Sequence, residues 1–149
     1  MNMDEVDLEN KAYRAVCRQH LPSFIRETVK VAAPSARFMD NWNLHAVAHQ
    51  LEACRSRKIR KLIVLMPPRS LKSLSISVAF PAFIMGHDPS AEITAISYSG
   101  DLARKFSMDT RFLMKSPGYQ EIFPRTAIDP RKDTEMDFMT TARGRRYAT

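Results

Sequence analysis

Long apolar runs and clustered cysteines are both missing from this chain, and their absence excludes several classes of protein. The longest apolar stretch, residues 76–85, is interrupted by Ser77 and Pro81 and falls short of the roughly 20 residues that a membrane-spanning helix needs. Cys17 and Cys54 lie far apart and outside any Cys-x-x-Cys or Cys/His cluster. The sequence therefore indicates no membrane segment, no disulfide framework and no zinc site.

A secretory signal is also lacking at the N-terminus. Residues 1–10, MNMDEVDLEN, are acidic and contain no basic stretch followed by an apolar run. We therefore expect a cytoplasmic protein without a membrane partner.

The composition is that of a folded protein with an excess of positive charge. The chain has 149 residues, of which 44% are apolar and 26% charged, which suits about one globular domain. Its 23 Lys and Arg residues against 16 Asp and Glu give a formal net charge of +7. Nucleic acid is therefore a plausible partner, although many basic globular proteins never bind it.

Helical spacing of apolar residues dominates the first third of the chain. It predicts helices over residues 4–20, 23–31 and 43–57, the last capped by Asn41 or Asn43. We expect residues 1–36 to form an N-terminal helical extension of a domain that spans residues 37–149.

From residue 62 onward, strand and helix patterns alternate. Leu62–Met66 is a continuous apolar run, which is typical of a parallel strand covered on both faces. A helix over residues 72–85, kinked by Pro81 and ended by Gly86, precedes a second strand over residues 92–97. Another helix capped by Ser99 follows, with short strands near residues 136–140 and 145–149. The alternation predicts an α/β fold, a parallel sheet with flanking helices.

The segment LIVLMPPRSLKS, residues 62–73, has the order expected of a phosphate-binding loop. Lys72 and Ser73 stand where a helix begins, so backbone N–H groups, an ammonium and a hydroxyl would converge on an anion and its magnesium. The pattern G-x-x-x-x-G-K-[ST] has glycine where this chain has Met66 and Leu71. Pro67 and Pro68 donate no N–H, so the cradle would come from residues 69–73. From the residues alone, a buried strand, a Pro-Pro turn and a capped helix explain the segment equally well.

This segment resembles the N-terminal ATPase region of terminase large subunits from tailed phages and prophages. The same likeness is carried by the stretch that follows, AFPAFIMGHDPSAEITAISYSGDLARKFSMDTRFLMKSPGYQEIFP. The resemblance runs from about Arg37 to the C-terminus. It implies an incomplete P-loop NTPase fold of the RecA/ASCE-like type, with ATP and Mg²⁺ as cofactors. Full-length relatives hydrolyse ATP to translocate double-stranded DNA into a procapsid. The implied partners are this DNA, the portal protein of the procapsid, the small terminase subunit and further copies in a homo-oligomeric ring, in the bacterial host cytoplasm.

The resemblance also implies roles for individual residues. Lys72 would contact the β- and γ-phosphates, Ser73 would hold Mg²⁺, and Leu71 replaces the family's usual glycine. Arg69 corresponds to the loop arginine that senses the γ-phosphate or stabilises transition-state charge, and is the catalytic candidate. The implied nucleotide-binding residues are Pro68, Arg69, Ser70, Leu71, Lys72 and Ser73, joined on the adenine side by Trp42, His45 and Gln50.

Three further features allow two interpretations each. The segment Ser97–Ser99 either couples nucleotide state to DNA or merely packs through Tyr98, and we favour packing. The basic residues of the following helix, and the basic run over residues 55–61, either contact DNA or form solvated surfaces. For the basic run, the negative end of the preceding helix is a sufficient explanation.

An acidic segment that would complete magnesium binding is missing. Asp129, Asp133, Glu135 and Asp137 do not follow an apolar strand, and the family's nuclease domain is absent as well. We expect this chain alone to bind nucleotide without appreciable turnover. Two alternatives remain open, another P-loop nucleic-acid motor such as a helicase-like ATPase, or a non-enzymatic basic DNA-binding fragment.

Overall fold

Helices form most of the first 122 residues, and a small sheet follows them. The computed structural model describes residues 3–35, 37–67 and 70–149. The helical elements are α1 (Met3–Gln19), α2 (Leu21–Ala32), α3 (Trp42–Arg55), the π-helical segment (Leu74–Ala79), α4 (Phe80–His87), α5 (Gly100–Lys115) and α6 (Pro117–Ile122). The strands are β1 (Glu92–Ala95), β2 (Ile128–Asp133), β3 (Asp137–Thr140) and β4 (Arg145–Ala148).

The sheet is mixed, whereas the alternation of strand and helix predicts a parallel one. Its strand order is β1-β4-β3-β2, and only β1 and β4 run parallel, with Ile93 opposite Arg146. Strand β3 is antiparallel to both β2 and β4. The connections on either side of β3 are short, and short connections can join only antiparallel strands, whereas β1 reaches β4 through a long connection that includes α5 and α6.

An aromatic cluster forms the centre of the core, and its side chains come from both the beginning and the end of the helical part. Phe24 of α2 lies 5.3 Å from Phe83 of α4 and 5.7 Å from Phe123, measured between ring centroids. The hydroxyl of Tyr119 donates to the carbonyl of Ala82 at 2.8 Å. Because α2 places its apolar side chains at helical spacing, one face of it enters this cluster. Residues 21–32 are thus packed into the same core as the segment that follows the boundary expected at residue 36.

Side-chain capping explains where one of the two helices with a predicted cap begins. Asn41 precedes α3, and its side-chain oxygen accepts from the backbone N–H of Leu44 at 3.0 Å. Ser99 precedes α5 as predicted, but its side chain makes no capping hydrogen bond. The helical stretch that starts at Lys72 continues to the end of α4, and Gly86 lies buried inside it instead of ending it.

Leu62–Met66 is the clearest departure from the predicted strands. The segment forms no β-ladder with any described residue. Ile63 and Leu65 are 85% and 91% exposed, while Leu62 packs against the core. The prediction of a strand covered on both faces is therefore wrong for this chain, because a strand is covered only when neighbouring strands and helices flank it.

Membrane insertion by a helix has no support in the described part of the chain, where every helix is too short or too polar to span a bilayer.

Candidate nucleotide-binding site

The backbone turns sharply at Leu71, immediately before the helical stretch. Leu71 has φ of 59°, in the left-handed region that L-residues with a Cβ rarely adopt. The phosphate-binding pattern has glycine at this position, the residue that adopts such a conformation without a steric penalty. The chain thus keeps a glycine-like backbone with a leucine side chain.

The helix start that follows presents backbone donors toward one side. The N–H of Ser75 donates to the carbonyl of Leu71 at 2.8 Å, which closes the first helical turn. The N–H groups of the residues before Ser75 lie in that first turn, where a helix supplies no acceptor of its own. On the other side of the turn, the hydroxyl of Ser70 donates to the carbonyl of Pro67 at 2.7 Å.

An open pocket of about 670 Å³ lies against this turn. Its volume is within the range of about 300 to 1,000 Å³ that is typical of small-molecule sites. Ser73 is exposed, and its side chain makes no capping hydrogen bond. The pocket is lined by Met66, Pro67, Ser70, Leu71, Lys72, Ser73 and Leu74. The structure therefore brings the Lys-Ser pair and the turn to one concave surface. Pro68 and Arg69 lie outside the described residues, so their roles remain predictions.

A neighbouring pocket adjoins the first on the side of α3. It measures about 540 Å³ and is lined by Trp42 and Gln50 of α3 together with residues 62–66. Met66 borders both pockets, and Trp42 is 77% exposed. Two of the three residues predicted on the adenine side thus stand beside the loop.

His45 is not part of this arrangement. Its Nε2 lies 2.7 Å from a carboxylate oxygen of Asp40, and the residue borders a separate cavity of about 280 Å³ with His20 and Glu52. His45 borders neither the loop pocket nor the pocket beside α3.

The carboxylates that follow α6 are engaged in ion pairs. The guanidinium of Arg145 holds the pKa of Asp137 at about 2, and that of Arg131 does the same for Asp129. Asp133 binds both Arg111 and Lys115. Among the described residues, no group of three or more His, Cys, Asp or Glu side chains is arranged to hold a metal ion.

Tyr98 lies on the surface. Its side chain is 95% exposed, so the prediction that it packs is wrong. The backbone before it continues the parallel pairing, because the N–H of Ser97 donates to the carbonyl of Thr149 at 2.9 Å. The segment Ser97–Ser99 thus presents an aromatic ring to solvent just beyond the end of β1.

The two groups of basic residues differ in their partners. On α5, each of four basic side chains faces a carboxylate, which favours the solvated-surface interpretation: Arg104 faces Glu135, Lys105 faces Asp109, and Arg111 and Lys115 face Asp133. In the basic run, Arg55 pairs with Glu52, whereas no salt bridge to another described residue involves Arg57, Lys58, Arg60 or Lys61.

Arg146 is a buried charge that the sequence patterns do not single out. Arg146 is 0% exposed, and its Nη2 donates to the carbonyl of Ser77 at 3.2 Å. The alternation along β4 puts Arg146 on the same face as buried Ala148. That period-two spacing is the only sequence signal of its burial.

No protein-family model, curated protein or solved structure matches the chain. Its function is therefore inferred from the loop geometry and from the resemblance of the loop segment.

Proposed function

We propose that this chain binds ATP at the turn before the helical stretch and is the ATP-binding part of a viral DNA-packaging terminase large subunit. The observation that carries the proposal is the left-handed Leu71, directly followed by Lys72 and Ser73 at a helix start. Successive N–H groups around such a turn form a concavity that suits phosphate oxygens. The resemblance supplies the choice of terminase among P-loop proteins.

Strain at Leu71 supports an anion-binding role for the turn. A left-handed conformation costs an L-residue about 1–2 kcal/mol, and such outliers are concentrated at ligand-binding and active sites. An ordinary loop-to-helix connection does not require that conformation. Here it accompanies an open pocket and a lysine, two features that an anion site needs.

Each group of the loop has a separate task in this proposal. The N–H groups of the first turn bind phosphate oxygens, Lys72 neutralises the charge of the outer phosphates, and the Ser73 hydroxyl binds magnesium. Magnesium, when bound, withdraws negative charge from the phosphate oxygens. Trp42 offers an exposed indole for stacking against adenine, beside Gln50. We propose that this chain alone hydrolyses ATP negligibly, because none of its acidic residues is placed by the resemblance to activate water.

The wider role follows the same resemblance. The proposed partners are double-stranded DNA, the portal protein of a procapsid, the small terminase subunit and further copies of the full-length protein in a ring. The proposed setting is the cytoplasm of a bacterial host.

Titration with a fluorescent ATP analogue and Mg²⁺ tests the proposal. We expect Lys72→Ala to weaken binding by about tenfold, roughly 1.4 kcal/mol, because the outer phosphates lose their closest cation. Lys58→Ala removes the same charge from an exposed site outside the loop and serves as the matched control. Equal affinities of the two variants would show that the nucleotide does not bind at the loop.

A further inference from the structure

A cavity bordered by two arginines lies where the end of α1 meets the end of α6, and we call it the basic cavity. It has a volume of about 340 Å³ and shares no bordering residue with the loop pocket. Arg18 of α1 and Arg125, in the turn after α6, both border it, and both residues are exposed. No acidic residue of the described chain is in its lining, which is completed by Gly86, His87, Ile122, Phe123 and Pro124.

The guanidinium of Arg18 is anchored through one nitrogen only. Its Nε donates to the carbonyl of Ile122, the last residue of α6, at 2.6 Å. No hydrogen bond or salt bridge to another described residue involves Nη1 or Nη2 of Arg18, and the residue as a whole is exposed. The anchor therefore orients a guanidinium whose two terminal nitrogens still have N–H groups to donate.

The neighbouring arginine of α1 has the counterion that Arg18 lacks. Arg14, one turn earlier, has its Nη2 at 2.8 Å from a carboxylate oxygen of Glu121, the only acidic residue of α6. No salt bridge to another described residue involves Arg18 or Arg125. Two positive charges thus border one cavity without a counterion among the described residues, and Coulomb repulsion disfavours that arrangement. A bound anion would remove the repulsion.

The imidazole of His87, in the wall of the basic cavity, responds to the same positive charge. Burial lowers its pKa most, and the charges of Arg55 and Arg18 lower it further, while Glu52 and a hydrogen bond to the backbone of Arg18 act in the opposite direction. Arg55 pairs with Glu52, so Arg18 is the cation of this group whose charge is not neutralised nearby. His87 itself is neutral at pH 7, and because its Nε2 is buried we assign it no contact with a ligand.

The charge of the basic cavity specifies which anion fits. A phosphate group has a second pKa of about 6 and carries nearly two negative charges at neutral pH, which matches the two guanidiniums. Its oxygens accept paired N–H groups from the planar fork of arginine. The phosphodiester of a nucleic-acid backbone carries only one negative charge. The cavity volume lies at the lower end of the range of about 300 to 1,000 Å³ for small-molecule sites, so the ligand is small.

We propose that the basic cavity binds a phosphate dianion, either free phosphate or the terminal group of a small phosphomonoester, held by the terminal nitrogens of Arg18 and the guanidinium of Arg125. The site does not rest on nucleotide binding at the loop, since the two pockets share no bordering residue.

Titration of the full chain with inorganic phosphate, followed by NMR of the arginine Nε–H groups, tests the proposal. The hydrogen bond to Ile122 protects the Nε–H of Arg18 from exchange, so we expect a resonance that Arg18→Lys removes and that phosphate shifts saturably. Sodium chloride at the same ionic strength should leave this resonance unshifted. The absence of a phosphate-induced shift, or an equal shift with chloride, would overturn the proposal.

Two variants at exposed positions assign the binding to the basic cavity. Arg125→Gln removes one of the two cations from an exposed turn, so we expect a folded protein that binds phosphate about tenfold more weakly. Arg37→Gln removes the same charge from an exposed residue that does not border the cavity and is the matched control. Equal phosphate affinities of these two variants would overturn the proposal.

Further titrations separate this site from the loop and identify the ligand. Lys72→Ala should leave the phosphate-induced shift of Arg18 unchanged, and its loss in that variant would show that phosphate acts from the loop and overturn the proposal. Dimethyl phosphate, a monoanionic diester, should bind about tenfold more weakly than methyl phosphate, and equal binding would overturn the choice of a dianion. Methyl phosphate that binds as tightly as inorganic phosphate supports a phosphomonoester as the ligand, whereas much weaker binding supports free phosphate.

Discussion

Leu71 carries a conformational penalty that its side chain cannot avoid. At φ of 59°, its Cβ approaches the neighbouring carbonyl oxygen, which costs about 1–2 kcal/mol relative to glycine. The penalty arises from any Cβ and not from the leucine methyl groups. Alanine at this position would therefore keep the strain and lose the contacts of the longer side chain.

We expect Leu71→Gly to be more stable than Leu71→Ala by about 1 kcal/mol, measured by urea unfolding. This order of stability is the reverse of that at an ordinary helical position, where the alanine variant is more stable than the glycine variant by about 1 kcal/mol. Met108 of α5 is partly exposed and provides the control pair, Met108→Ala and Met108→Gly. If alanine were the better residue at both positions, Leu71 would not be left-handed in solution.

Gly86 is required for a different reason: the space beside its Cα is too small for a side chain. A Cβ built there would lie 2.6 Å from ring atoms of Phe123, inside the aromatic cluster. We expect Gly86→Ala to destabilise the protein by about 1–3 kcal/mol in urea unfolding, as overpacking of a core does. A Cβ added at Gly118 of α6 would meet no other described atom within 4 Å, so Gly118→Ala should be neutral or stabilising. Similar losses in both variants would contradict this account.

At the scale of elements, Asp137 joins neighbouring strands of the sheet. Its carboxylate accepts from Nε of Arg145 on β4 at 2.7 Å and lies 3.0 Å from Nζ of Lys132 on β2. Because the pKa of Asp137 in the folded protein is about 2, below its ordinary value of 3.8, the carboxylate stabilises the fold above about pH 4. That contribution is lost as the pH falls from about 4 toward 2.

We expect Asp137→Asn to lower the free energy of unfolding at pH 7 by about 1 kcal/mol, after allowance for solvent screening of the exposed Arg145. The difference between variant and parent should vanish as the pH approaches 2. Urea unfolding at a series of pH values measures both effects. Glu9→Gln of α1 is the control, because Glu9 is exposed and no salt bridge to another described residue involves it. A pH-independent difference for Asp137→Asn would contradict the assigned pKa.

The helical stretch after the loop shows how one proline reorganises an element. Pro81 has no N–H to donate to the carbonyl of Ser77 four residues earlier. That carbonyl accepts instead from Arg146 at 3.2 Å and from the hydroxyl of Thr110 at 3.4 Å. Just before Pro81, the N–H of Phe80 donates five residues back to Ser75, a π-type hydrogen bond. The segment before Pro81 is thus π-helical, and the carbonyl of Ser77 that the proline leaves without its helical donor ties α5 and β4 to it.

The sequence predicts those helices and strands that are long enough to show a hydrophobic period or that begin with a recognisable cap. Helix α5 and strand β1 follow from hydrophobic periodicity, and α3 follows from periodicity with an asparagine cap. Helix α6 has too few residues to show a period, and its cap, Ser116, accepts from the N–H of Tyr119 at 3.3 Å. Strand β2 contains Pro130 among charged residues, a pattern that argues against a strand, but β2 is an edge strand and tolerates it.

Likewise, only part of the candidate site and its surroundings could be predicted from the sequence. The position of Lys72 and Ser73 at a helix start could be predicted, because a phosphate-binding pattern is local in sequence. The burial of Arg146 could not, because arginine is almost always exposed and its partner, Ser77, lies 69 residues away. Likewise, the exposure of Ile63 depends on whether other strands flank it, which no local pattern encodes.

At the scale of the whole molecule, the excess of positive charge is not spread evenly. The basic residues of α5 face carboxylates, whereas the run after α3 contributes exposed cations. If DNA binds this run, each phosphate contact adds about 0.9 to the slope of log affinity against log salt concentration.

We therefore expect joint alanine replacement of Arg57, Lys58, Arg60 and Lys61 to weaken duplex DNA binding and to reduce its salt slope. Fluorescence anisotropy of a labelled duplex at several salt concentrations measures both. Joint replacement of Arg104 and Lys105 is the control, since these side chains already face carboxylates. Unchanged affinity and slope would place any DNA contact elsewhere. If the chain binds DNA but no ATP analogue, the non-enzymatic basic module is the correct function.

We expect the segment 62–66, in which Ile63 and Leu65 are exposed, to promote self-association of the purified protein. Five consecutive apolar residues of high β-propensity, without a ladder partner among the described residues, form a template onto which the same segment of another copy can stack. Lys61 and Pro67 stand at its two ends, and a charge or a proline in these places interrupts such stacking. We therefore expect self-association of this protein, and its dependence on concentration, to be limited by these two flanking residues, neither of which belongs to the core.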